Sequence, residues 1–216
     1  MNRRLRSASL LVALAAVSLP MSSASAQPAA PAPNTLTRAE REAGWKLLFD
    51  GATTTGWRNY MKPDVSEGWK VENGALTRVG RAGDIIALDK YRNFELLIDW
   101  KISRGGNSGI FYRGIEGPEA IYYSAPEMQV LDDDLHADGK SQLTSAGAAY
   151  GLYPAPRGAV KPVGEWNRAR VLVNGNRVEH WLNGVKMADY VIKSADWNQR
   201  VANSKFKQWP EYGQAA

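Results

Sequence analysis

The chain contains no cysteine and only two histidines, His136 and His180. Without thiols there can be no disulfide framework, no thiolate nucleophile and no sulfur-ligated zinc. The sequence also lacks a Gly-x-Ser-x-Gly nucleophile elbow, a phosphate-cradling P-loop and a dinucleotide fingerprint. Lysine and arginine are scattered, not clustered on one element, which removes nucleic acid as a partner. Of the +5 formal charge, Arg3, Arg4 and Arg6 supply three, leaving about +2 for the remainder.

Those arginines precede the apolar run ASLLVALAAVSL (8–19), which falls short of the ~20 residues a membrane span requires. Ala24-Ser25-Ala26 follows as a small-x-small site. The pattern is that of a secretory signal peptide over 1–26, cleaved after Ala26, which places the mature protein in the periplasm or outside the cell. Residues 27–36, beginning QPAAPAPN, form a Pro/Ala-rich extended linker. The segment 37–216 has the length of one domain.

Thr37 and Glu40 stand at capping-box spacing, predicting a short helix over 37–43 that ends at Gly44. WKLLFDG (45–51) reads as a strand and turn. FELLIDWKI places Phe94, Leu96, Ile98, Trp100 and Ile102 on one face and Glu95, Asp99 and Lys101 on the other, a half-buried strand. GGNSG (105–109) reads as a turn, IFYR (110–113) as a returning strand and EMQVL (127–131) as another. ARVLV (169–173), RVEHWL (177–182) and VKMADY (185–190) form a meander whose NGN and NG links supply the positive φ of tight hairpins. Residues 193–206 read as a helix capped by Ser194. Short strands, glycine turns and few helices argue for an all-β chain, an antiparallel sandwich. The chain has eight tryptophans and nine tyrosines, and more than half of them are expected in its core. The others are available to stack on sugar rings.

The stretch APEMQVLDDDLHADGK (125–140) concentrates five carboxylates and His136. Strand alternation points Glu127, Gln129 and Leu131 one way and Met128 and Val130 into the core. Asp132 closes the strand, and a loop can return His136 over the same face. Asp133 and Asp134 read as solvated, and the density of oxygen donors raises a divalent cation as a possible cofactor. Arg113 ends its strand on the face of Phe111, suited to a sugar oxygen or an oxyanion. Lys161 and Glu165 stand near a turn. His180 and Trp181 project from opposite faces of one strand. Tryptophan is the better core residue, which places His180 on the groove side.

Together, LFDG (48–51) with GW (56–57), W-x-V-E-N-G-x-L (69–76), GGNSGIFYR (105–113), PEMQVLDDDLHAD (126–138), GAAYGLY (147–153), KPVGEWN (161–167) and VEHWLNG (178–184) resemble the bacterial 3-keto-disaccharide hydrolase domain family. The resemblance runs from about Trp45 to the end. It implies a concanavalin A-like jelly roll and sugar breakdown outside the cytoplasm. Members continue with a further strand of the type G-H-I-x-L-Q-D-H-G, so it also implies final strands beyond Ala216. Glucanases of related fold carry Glu-x-Asp-x-x-Glu where this chain has Glu127-Met128-Gln129-Val130-Leu131-Asp132. A strand rise of ~3.3 Å per residue holds Glu127 and Asp132 too far apart for the ~5 Å pair of a retaining glycosidase.

For a 3-keto sugar the resemblance implies elimination across C1–C2 followed by hydration. Glu127 or His136 is then the base, and Arg113 the oxyanion partner. His180 or Asp132 is the acid, while Gln129, Asn107, Tyr150 and Lys161 hold hydroxyls. The competing expectation is a carbohydrate-binding module without turnover, since fold does not decide function.

Overall fold

A computed structural model describes residues 32–215. The leader and the linker through residue 31 lie outside the described residues, and from Pro33 onward the chain packs as one unit. The first element, α1 (Arg38–Glu42), begins as its sequence dictates. Thr37 Oγ1 accepts from the Glu40 N–H at 3.2 Å, and Glu40 Oε2 accepts from the Thr37 N–H at 2.7 Å. Gly44, at φ +87°, ends it. The strand expected at 45–51 does not form. Asp50 Oδ1 instead accepts from the N–H groups of Ala52 and Thr53, folding the segment into a side-chain-stapled turn.

Four short strands follow: β1 (Trp57–Asn59), β2 (Trp69–Glu72), β3 (Ala75–Arg78) and β4 (Ile85–Ala87). β2 and β3 form a hairpin about Asn73-Gly74, both at positive φ, while β1 pairs antiparallel with β4. The main sheet comprises β5 (Phe94–Trp100), β8 (Asn167–Asn174), β9 (Arg177–Leu182) and β10 (Val185–Val191), in the antiparallel order β10-β9-β8-β5. The meander is as expected, with Asn183-Gly184 at its second turn. β5 ends at Trp100, two residues before the alternation stops, and Ile98, on this edge strand, stays more than a third exposed.

A separate antiparallel pair carries the candidate chemistry. β6 (Asn107–Phe111) aligns with β7 (Glu127–Leu131) so that Asn107 faces Leu131, Gly109 faces Gln129 and Phe111 faces Glu127. GGNSG is therefore half strand, because Asn107 and Ser108 already pair with β7. Both sheets bury side chains in a common cluster. Met128 and Leu131 of β7 join Val171, Leu182 and Tyr190 of β8–β10. Two 3-10 turns, Ile121–Tyr123 and Ala137–Lys140, flank β7.

The expected C-terminal helix is shorter, α2 (Ala195–Ala202), with Ser194 Oγ accepting from the Trp197 N–H at 3.1 Å. Ser204 then caps a separate 3-10 turn, Lys205–Gln208. Stacked rings bind this end to the body. Tyr153 lies on Tyr190, Tyr190 on Trp197, Trp197 on Tyr212 and Tyr212 on Phe206, with centroids 4.0–5.9 Å apart and planes within 13°.

Candidate functional site

Directly opposed residues of an antiparallel pair share a face, so Asn107, Gly109 and Phe111 lie on the side of Glu127, Gln129 and Leu131. Gly109 leaves a gap on that surface. A Cβ built there would fall 2.0 Å from Glu127 Oε1, so the glutamate lies across the bare glycine. The Glu127 side chain is half-buried and makes no hydrogen bond or ion pair with the described residues. Burial, opposed by Lys205 and reinforced by Asp84 and Asp138, pushes its carboxyl up to about 8. Such a group holds its proton at neutral pH and is a strong base once it has lost it.

Around it the loops assemble a polar chain. His136 precedes the turn Ala137–Lys140, and its Nδ1 accepts from the Asp138 N–H at 3.1 Å. The neutral ring therefore carries its proton on Nε2, which faces Asn107 Nδ2 at 3.4 Å as donor to donor, so the two do not hydrogen-bond and the Nε2–H is left for another acceptor. The Asp138 carboxylate accepts from Asn107 Nδ2 at 3.5 Å and from Tyr150 Oη at 3.3 Å. Burial first, then Asp138 and Glu127, push Tyr150 up to about 12, so it stays a neutral phenol. The Lys205 ammonium stands 4.5 Å from the centre of the Tyr150 ring.

Glu127, His136, Asn107 and Tyr150 are thus brought together, and the other expected site residues are not. His180 is fully buried, with Nδ1 donating to the Gly147 carbonyl at 3.1 Å and Nε2 accepting from Tyr112 Oη at 2.8 Å. Burial pushes it down to about 4, a neutral core imidazole with no access to a groove. Trp181 is the outward residue of that strand, with Arg170 and Lys186 over its ring.

Arg113 sits at φ +52°, and its guanidinium turns to the Gly175 carbonyl and the Asn176 side chain in the β8–β9 turn. Asp132 is buried and accepts from the N–H groups of Gly105 and Asp134, a staple for two turns. Gln129 is covered, its amide donating to the Thr144 carbonyl. Lys161 Nζ donates to the Trp166 carbonyl in the loop before β8. Asp133, expected in solvent, accepts from the Ala146 N–H at 2.8 Å.

Three participants carried no role in the sequence reading. Gly109 had a legible signal, a glycine two residues from Asn107. Asp138 stood in the acidic stretch, and Lys205, far along the chain, had no local signal. Among the described residues no three His, Asp or Glu side chains cluster as metal ligands. No described helix is long and apolar enough to cross a membrane.

A family profile described as 3-keto-alpha-glucoside-1,2-lyase-like domain matches residues 44–213. A 3-keto-disaccharide hydrolase of Bacteroides thetaiotaomicron is 38% identical over 191 residues, 77% of this chain and 66% of that protein. The chain therefore spans just under two thirds of that relative's length. A crystal structure of a candidate glycosyl hydrolase from Parabacteroides distasonis ATCC 8503 aligns with a TM-score of 0.77 at 39% identity, covering 83% of this chain and 87% of that one. A second from the same organism aligns at 0.54 and 25% identity, covering 68% and 65%.

Proposed function

The chain belongs to the 3-keto-alpha-glucoside-1,2-lyase-like domain family, and from that premise we propose that it cleaves 3-keto-glycosides by elimination and hydration outside the cytoplasm. The location rests on the leader over 1–26. For the fold, we take the four-stranded sheet and the β6–β7 pair as parts of the two layers of a concanavalin A-like jelly roll. The similarity to the P. distasonis protein supports a shared fold.

The ketone at C3 acidifies the C2 proton. Glu127 in its carboxylate form removes that proton, and the electron pair moves through C2=C3 to the C3 oxygen. Its return forms C1=C2 and breaks the C1–O bond, and the leaving oxygen takes up a proton. Water adds at C1 and C2 regains a proton, giving net hydrolysis. The His136 Nε2–H and the Lys205 ammonium are the donors for the charge that develops on the C3 oxygen. Lys205 takes the part first expected of Arg113. Protonated Glu127 is the acid available to the leaving oxygen, because His180 and Asp132 are engaged in the interior. Asn107 and Tyr150 hold substrate hydroxyls.

One observation carries the reading: an unpartnered, half-buried carboxyl over a bare glycine, near enough to Lys205 and Asp138 to feel their charges. The test measures release of 3-keto-glucose from a 3-keto-disaccharide and from an aryl 3-keto-glucoside. A positioned base contributes roughly 10²–10⁴-fold, so Glu127→Gln loses at least about a hundredfold in kcat, and His136→Ala about tenfold. The wild-type rate rises with pH through an ionisation near 8, since the base must be unprotonated. Unchanged rates in both variants remove these assignments. Binding of unoxidised oligosaccharide without turnover favours the lectin-like alternative.

A further inference from the structure

A hollow of about 320 Å³ opens between the β1–β4 pair and the connector from β6 to β7, lined by Asn59, Tyr60, Lys62, Arg81, Asp84 and Glu119 among others. Its walls are pinned. Asn59 is buried and gives both amide hydrogens to the carbonyls of Ala82 and Asp84 while accepting from the Ser66 N–H. Tyr60 Oη donates to the Pro118 carbonyl at 2.8 Å, and Arg58 holds Glu116 with two bonds of 2.6–2.7 Å. These contacts fix residues 113–120 over β1.

The charged side chains at the hollow behave differently. Lys62, Arg81, Asp84 and Glu119 make no side-chain hydrogen bond or ion pair with the described residues. Two cationic donors and two anionic acceptors thus face a rigid hollow unused. Their charges cancel, which disfavours a phosphate or a carboxylate. They suit a neutral ring with several hydroxyls, each able to donate to a carboxylate and accept from a cation. The same connector runs on through the turn Ile121–Tyr123 into Glu127, and Asp84 is near enough to act on the Glu127 carboxyl.

We propose that this hollow is the subsite for the leaving-group sugar, holding a neutral hexose against Lys62, Arg81, Asp84 and Glu119. The assignment rests on the 3-keto-glycoside reading, and the test separates the two. Kinetics of the full chain compare a 3-keto-glucosyl-glucose with methyl 3-keto-glucoside, which has nothing to fill the hollow. Lys62→Ala, Arg81→Ala and Glu119→Gln are surface changes outside the proposed catalytic set and away from the charges that act on Glu127, and circular dichroism checks their folding.

Each variant is expected to raise KM for the disaccharide about tenfold, the loss of one charged hydrogen bond, and to leave the methyl glycoside unchanged. Equal effects on both substrates overturn the subsite while leaving the function standing. Calorimetric titration with free glucose reads the subsite even if neither substrate is cleaved. Wild type binds saturably and the double variant Arg81→Ala/Glu119→Gln at least tenfold more weakly. No binding, or equal binding by both proteins, overturns the proposal.

Discussion

A methyl group on Gly109 would lie 2.0 Å from Glu127 Oε1 and 2.7 Å from its carboxyl carbon. The φ of Gly109 is not in the positive range, so its backbone accepts alanine and the conflict is with the glutamate alone. Gly109→Ala is therefore expected to fold, at an overpacking cost of about 1–3 kcal/mol, and to lose at least about tenfold in kcat as the carboxylate is pushed aside. Steady-state kinetics with a thermal melt check both halves, and full activity would show that the placement of Glu127 does not matter. Alternation along EMQVL correctly set Glu127 apart from Met128, because strand geometry alone decides that. The His180 and Trp181 assignment failed because hydrophobicity was the only guide. Tyr112 and the Gly147 carbonyl satisfy both ring nitrogens of a buried histidine, and Trp181 is covered by cations; neither partner set is local in sequence. Arg113 failed for a related reason, a positive φ that alternation does not reveal.

Elements whose pairing is local were legible, and those paired at a distance were not. Asn-Gly turns and alternation exposed β8, β9 and β10, the last despite a bulge at Met187, whereas β1 and β4 are three residues each and find each other only across the intervening β2–β3 hairpin. The C-terminal elements show what the aromatic excess does. Trp197 is 1% exposed and stacks between Tyr190 and Tyr212, so it joins α2 to β10 and to the segment that brings Lys205 beside Tyr150. Trp197→Ala removes a large buried ring and should cost about 3–5 kcal/mol. Because the column also supports Lys205, the variant should lose activity below its melting temperature, beyond what its unfolded fraction explains. A variant equally destabilised but fully active per folded molecule would separate α2 from the site. Trp197→Phe, which keeps a ring in the stack, should recover most of both.

Across the whole molecule, half-buried Glu127 and buried His180 titrate in opposite senses. Glu127 is raised from 4.5 to about 8, so the folded state favours its protonated form. Its contribution is full below pH 4.5 and is lost as pH rises through 8. His180 is lowered from 6.5 to about 4, so the folded state favours the neutral ring. Its contribution is full above pH 6.5 and is lost as pH falls through 4. Between pH 4.5 and 6.5 the two slopes oppose each other and cancel, leaving a plateau of stability with a falling limb on each side. Asp84 and Asp133 are also raised by burial, so each adds a slope of the same sign as that of Glu127, beginning above the ordinary 3.8. Asp189, held at about 2 by Arg177 and Lys186, titrates below the plateau. Glu127→Gln removes one group and leaves the other. Its stability should climb between pH 4.5 and 6.5 and hold nearly level above, exceeding wild type at pH 8.5 by on the order of 2–4 kcal/mol, at ~1.4 kcal/mol per pKa unit and discounted for partial exposure. Urea melts at pH 3.5, 5.5, 7 and 8.5 on both proteins test this. If the variant is no more stable at pH 8.5, the Glu127 carboxyl is not strained in the folded state, and the source of its basicity is gone with it.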